Sequence, residues 1–249
     1  RTMNNLVLDI SDPANVTVQA DNLFEFYSGF DQMALQDHYL FLAGDYNRGL
    51  TIFDISQPVE PQLVSFVEGD ILARSNLVDG DQLYIGRGGY GGVINFDISD
   101  IENPTERFWN QTGYHSGYGA GQLALVDEEL FIAHGGHGLR ILNVSQLPPE
   151  EVVEFNDVGR VSDITIDNQL AYVRETYPPR MRILDISNPA APILVGHFDP
   201  FNGDYLWFAQ AFGYAITDTI GYFKSVSELK LFDLSDFGNP ILMTTFDDL

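Results

Sequence analysis

The chain has 249 residues, 45% hydrophobic and 13% aromatic, so it can bury a core and its acidity does not signify disorder. Twelve Lys and Arg face 36 Asp and Glu, a net charge of −24; such a balance argues against nucleic acid as a partner, because phosphate neutralisation needs clustered cations. The lack of Cys excludes disulfides, thiolate chemistry and Cys-type metal centres, and no apolar run approaches the roughly 18 to 20 residues of a membrane span.

In chain order the first predicted elements are two strands, Leu6–Ile10 and Asn15–Ala20. A hairpin follows, with Met33–Gln36 and Leu40–Ala43 flanking a turn at Asp37-His38. Next comes Ile52-Phe-Asp-Ile-Ser56, then the run Gln62–Phe66. This order recurs along the chain. Second-type strands appear at Leu83–Gly86, Leu130–Ala133 and Ala171–Val173, each after a polar turn. Short β-branched and aromatic runs separated by Asp, Gly and Asn are antiparallel hairpin signals. No segment sustains a 3.6-residue period with caps, so helix is not expected.

The recurring anchor is Asp-x-Ser, at Asp9, Asp54, Asp97, Asp185 and Asp233, with Asn143 in the remaining copy. The spacings are 45, 43, 46, 42 and 48 residues, and a Pro follows each anchor closely. An Asp there can accept from backbone N–H groups just ahead of it, and Pro fixes φ beyond. An amide caps such a turn as a carboxylate does, so Asn143 marks the anchor as structural rather than catalytic.

Four strands per unit of about 40 to 45 residues is the arithmetic of a β-propeller blade. Gly-Leu-x-Ile-x-Asp-Ile-Ser-x-Pro after a Leu-Tyr-Ile strand resembles the LVIVD repeat of bacterial and archaeal surface proteins, over essentially the whole chain. The expectation is one all-β propeller domain over residues 1–249, as part of a longer chain or alone. It has five complete blades and an N-terminal half blade, with six blades in the native ring. An incomplete blade leaves an open edge, through which an oligomer can form.

Loops joining strands 2 and 3 share one rim with the blade-to-blade crossings, and rim loops on a rigid scaffold commonly carry binding residues. The ligand-binding candidates on this rim are Arg74, Arg87, Tyr90, His115, Tyr118, Arg160, Arg174 and Trp207. Arg forks suit carboxylate or phosphate, and aromatic faces suit sugar rings. The competing reading is that each Arg pairs with a neighbouring acid. His134-Gly-Gly-His137, with His115, is the metal candidate. Asp-rich turns such as Asp79-Gly-Asp81 admit Ca2+, although no EF-hand pattern is present; no other cofactor is expected. A glycosidase-like hydrolase would need paired carboxylates in the central channel, drawn from Asp31, Asp70, Asp163 and Asp204. No nucleophile elbow or phosphate loop is present. The reading is therefore a non-catalytic binding or scaffolding module. It is secreted or at the cell surface, with the periplasm as an alternative, and its partner is a surface protein or a glycan.

Overall fold

The computed structural model describes residues 6–21, 30–44, 49–88, 92–110, 121–176, 179–200, 213–225 and 227–247, with backbone alone at 30–32 and 109–110. All regular structure among them is β-strand. Contacts divide the chain into two compact units, residues 1–119 and 120–249. The first opens with β1 (Leu6–Asp9) and β2 (Thr17–Asp21), a two-stranded sheet. It continues with β3 (Phe30–Gln36), β4 (Tyr39–Gly44), β5 (Leu50–Asp54) and β6 (Gln62–Val67), then β7 (Ala73–Asp79), β8 (Gln82–Arg87), β9 (Val93–Asp97) and β10 (Thr105–Asn110). The second unit holds β11 (Leu123–Val126), β12 (Glu129–Ala133), β13 (Leu139–Asn143) and β14 (Glu150–Phe155). It adds β15 (Val161–Asp167), β16 (Leu170–Thr176), β17 (Pro179–Asp185) and β18 (Ile193–Phe198), and ends with β19 (Gly213–Thr217), β20 (Ile220–Lys224), β21 (Glu228–Asp233) and β22 (Ile241–Asp247). Each set of four is an antiparallel meander in chain order.

The hairpins close as the residue types dictate. The first residue of each two-residue turn between strands 1 and 2 is Asp37, Gly80, Asp127, Asn168 or Asp218, all at φ between 52° and 54°. Asp and Asn tolerate this left-handed region and Gly enters it freely. At all six anchors the side-chain oxygen accepts the N–H of the Ser two residues on, at 2.9 Å for Asp9, 2.7 Å for Asp54, 3.0 Å for Asp97, 3.1 Å for Asn143, 2.9 Å for Asp185 and 2.8 Å for Asp233. The residue between them reaches the neighbouring turn: Ile55 N–H donates to the His38 carbonyl at 2.7 Å, and Ile98, Val144, Ile186 and Leu234 do the same in their sheets. Anchor and turn are thus one hydrogen-bonded unit at the end of each complete sheet.

These bonds act on the five carboxylates directly. The Ser hydroxyl and then the Ser N–H hold Asp9 and Asp97 below the ordinary 3.8, and for Asp54, Asp185 and Asp233 the N–H is the larger cause. A carboxylate with a depressed folded pKa contributes stability above its unfolded value and loses it as pH falls through the folded one. The five Asp turns are expected to open below about pH 3.8, while the Asn143 turn does not respond; amide exchange at Ser56 and Ser145 across that range checks the difference. Asp54→Asn is expected to melt with the parent protein, and Asp54→Ala below it.

Every anchor hairpin also carries one bulge on its fourth strand. The extra residues are Gln19, Val64, Arg107, Val152, Val195 and Met243. A bulge adds local twist and bends the outer strand.

In the first unit Phe41, Leu50 and Ile52 pack with Ile71, Ala73, Leu83 and Ile85. In the second, Phe131, Leu139 and Ile141 pack with Val161, Ile164 and Val173. There Met181 and Ile183 join Phe223, Phe232 and Leu234, with Phe198 and Phe223 edge to face at 5.3 Å between centroids. Strands such as β16 are apolar on both faces because sheets of the same unit cover them on both sides, Ala171 and Val173 packing with Phe131 and Tyr172 with Phe223. Each such side chain stabilises by about 1.5 to 3 kcal/mol when fully buried.

Candidate functional site

At the end opposite the anchors, loops between strands 2 and 3 meet the crossings, as the sequence reading requires. Gly49 N–H donates to the Gly69 carbonyl at 2.9 Å, Gly88 N–H to Leu72 at 2.7 Å and Thr176 N–H to Arg160 at 2.8 Å. Leu72 sits at φ 51°, an uncommon conformation for a branched side chain. A Cβ on Gly49, at φ 58°, would overlap the Val67 carbonyl, so this close approach requires glycine.

One register position organises this end. The residue opposite the anchor on strand 2 is Tyr39, Gln82, Glu129, Leu170 or Ile220. Five residues further on stand Gly44, Arg87, His134, Glu175 and Ser225, and all five are buried. Arg87 donates from Nε to the Ile71 carbonyl and from Nη2 to the Asp70 carbonyl, both at 2.7 Å. Glu175 accepts from the Gly159 N–H and from Arg180 Nε, and Arg182 Nε lies 2.7 Å from its Oε1. Ile71 and Gly159 occupy equivalent places in their crossings, two residues before the start of the next strand. A donor clamps one crossing and an acceptor clamps the other. Ser225 Oγ accepts the Glu228 N–H at 3.2 Å and so closes its own loop. His134 anchors a tight turn, its N–H donating to the Gly138 carbonyl at 2.8 Å. Its ring lies 5.1 Å from that of His137, whose Nδ1 is 3.3 Å from Glu154 Oε1.

Asp70, Arg74 and Arg87 come together at the start of β7. Arg74 is exposed and lies across Gly88, where a Cβ would stand 2.7 Å from its Nε. Asp70 is exposed, and its carbonyl is the group Arg87 holds. In the second unit Arg160 is exposed at the crossing before β15. Arg174 Nε donates to Ser162 Oγ at 3.0 Å, and Arg174 pairs with Asp163 across β15 and β16. Burial pushes the Asp163 carboxyl up, against the Arg174 charge and the Ile164 N–H. A raised carboxyl pKa makes stability fall as pH rises through it, the opposite sign to the anchors. Burial and then the Asp163 charge push the Tyr214 hydroxyl far up. Among the described residues no group of three or more His, Asp or Glu side chains is gathered to hold a metal. The Asp31 side chain and Tyr90, His115, Tyr118, Asp204 and Trp207 lie outside the described residues.

Sequence reasoning picked out Arg87 and His134 as ligand candidates and passed over Glu175 and Ser225. A signal existed: these residues stand ten, nine, ten and eight positions before their anchors. Arg87→Met is expected to cost about 2 to 3 kcal/mol, the worth of charged hydrogen bonds to two carbonyls, read by urea denaturation.

Likeness to solved structures places the architecture among the β-propellers. A Lactobacillus plantarum protein is similar at TM-score 0.75 and 15% identity, over 96% of this chain and 76% of its own. A functionally unknown protein from Desulfotomaculum acetoxidans DSM 771 is similar at TM-score 0.67 and 15% identity, over 92% and 73%. The β-propeller domain of Myceliophteria thermophila Cps50 (Swd1) is similar at TM-score 0.69 and 10% identity, over 93% and 77%. At these identities the likeness concerns the fold alone. A family model, described as LVIVD repeat, matches residues 31–68 and 158–200. The chain thus has the β-propeller fold and carries matches to the LVIVD repeat over these two stretches. No curated protein matches it.

Proposed function

We propose that the chain is a non-catalytic binding or scaffolding module of the cell surface or a secreted protein, which takes up a glycan or a surface protein on its rim loops. The observation that carries this reading is the buried polar position at the rim. Arg87, Glu175 and Ser225 spend their polar groups on holding loops and crossings in place. Loops held this way form a preorganised surface, which lowers the ordering cost of binding. Exposed Arg74 in the first unit and exposed Arg160 in the second each stand beside such a loop as a fork for a carboxylate or sulfate. An Asp-rich surface of net charge −24 stays hydrated in salt, which supports the extracellular assignment. Calorimetric titration with a panel of neutral and anionic polysaccharides tests the proposal. A ligand bound by the parent and at least tenfold more weakly by Arg74→Ala or Arg160→Ala is the expected result. A panel in which nothing binds, or ligands indifferent to both changes, counts against it.

The half-buried, upshifted Asp163 favours one second reading, a hydrolase with a carboxylic acid donor. Turnover of chromogenic glycosides by the parent, lost in Asp163→Asn, would select that reading over the first.

A further inference from the structure

One register position in the second unit breaks the pattern of the repeat. On strand 2, just before the buried rim position, β4, β8 and β12 carry Ala43, Gly86 and Ala133, all buried. Their neighbours on strand 1 are Gln32, Ser75 and Gln122. At the same place β20 carries Lys224 opposite Gly213, and β16 carries Arg174 opposite Asp163. Among the described residues, β15 and β16 alone set an acid against a base here. The pair lies on the side of its sheet that meets β19 and β20. Met181, the β17 neighbour of Arg174, packs with Phe223, and the Tyr214 hydroxyl on β19 donates to the Tyr172 carbonyl at 3.5 Å. That hydroxyl also bonds Thr165 and feels the Asp163 charge. Ser162, which accepts from Arg174 Nε at 3.0 Å, is the extra residue of a bulge on β15, and a bulge re-aims the side chains beside it. Ser162, Asp163, Thr165, Arg174 and Tyr214 are all half-buried.

We infer that Asp163 and Arg174, with the Thr165 and Tyr214 hydroxyls, form a binding site for the adjacent hydroxyl groups of a neutral glycan. The fold does not require the pair. Three sheets use a small residue at this place, and replacing an ion pair held away from water is often neutral or stabilising. The chemistry suits a sugar. A carboxylate only accepts, a guanidinium only donates, and the Thr and Tyr hydroxyls do both. Neighbouring sugar hydroxyls can therefore donate to Asp163 and accept from Arg174 together, through charge-assisted bonds. Acid and base offset one another, so the cluster calls for no counter-ion and fits an uncharged ligand better than the carboxylate or sulfate assigned to Arg74 and Arg160. The site rests on the proposed function only in its choice of a glycan, and it requires no turnover.

Saturation-transfer NMR with maltohexaose, cellohexaose and mannohexaose, joined to thermal melts, tests it. At least one of these sugars is expected to bind the parent. The double variant Asp163→Ser with Arg174→Ala carries the residues that β7 and β12 hold at these places, Ser75 and Ala133. It is expected to melt at or above the parent's temperature and to bind that sugar about tenfold more weakly or less. Lys224→Ala, at the same register position but without an acid opposite, is expected to bind as the parent does. A parent that binds none of the three overturns the inference, as does a double variant that binds like the parent. A double variant that melts well below the parent makes the pair a structural bond and overturns it too. A sugar lost in Arg74→Ala but kept in the double variant overturns this inference and leaves the rim reading standing.

Discussion

Gly196→Ala is expected to be strongly destabilising although it adds a single methyl group at an ordinary φ. A Cβ at Gly196 on β18 would overlap the carbonyl carbon and oxygen of Phe237, in the turn before β22. Both sides of this clash are backbone, so no rotamer change relieves it. Either the outer strand of one sheet or the anchor turn of its neighbour must shift. That turn is fixed by the Ser235 N–H on Asp233, the Gly238 N–H on Asp236 and the Asn239 N–H on the Asp236 carbonyl. Overpacking of this kind costs about 3 kcal/mol or more. Gly136→Ala is the control, since a Cβ there meets nothing within 4 Å, and it is expected to stay within about 0.5 kcal/mol of the parent. Urea denaturation of both variants checks the contrast; equal midpoints would mean that the two sheets do not meet at Gly196 as described.

Glu175→Met is the second large loss. The Glu175 side chain is wholly buried and faces Arg180 and Arg182. Its removal leaves two guanidinium groups without their carboxylate and frees the Gly159 N–H. Breaking a buried ion pair from one side costs about 3 to 5 kcal/mol. Removing the whole cluster, by Glu175→Met with Arg180→Met and Arg182→Met, is expected to be less damaging than the single change. No buried charge then stands uncompensated, and apolar replacements of such clusters are often close to neutral. Thermal melts of the single and triple variants decide the matter. A triple variant less stable than the single one would show that the arginines stabilise the sheet by packing rather than by pairing.

The anchors were legible in the sequence because their chemistry is local. An Asx turn joins an oxygen to an N–H two residues away, so Asp54 and Ser56 carry the whole interaction in three letters. The same holds for the turns at Asp37 and Asn168, where the residue type alone permits the conformation. The buried rim position was not legible as a class, because its members share a place and not a chemistry. Arg87 donates, Glu175 accepts, Ser225 does both, and Gly44 offers no side chain. Seen one at a time, Arg87 and His134 look like ligand residues, and Glu175 passes as one of 36 acids. Only strand register shows that they are equivalent. The outer-strand bulges were hidden for a similar reason. Three are Val and the others are Gln19, Arg107 and Met243, so no single residue type marks the place, although all six stand nine or ten residues after their anchors.

The rim position is the element on which the functional reading rests, and amide exchange in Arg87→Met tests it most directly. If Arg87 holds the crossing before β7, protection of the Gly88 amide, bonded to the Leu72 carbonyl, falls at least tenfold in the variant, while the anchor amides Ser56 and Ser99 keep theirs. An unchanged Gly88 amide would contradict the account and return Arg87 to the residues available for a ligand.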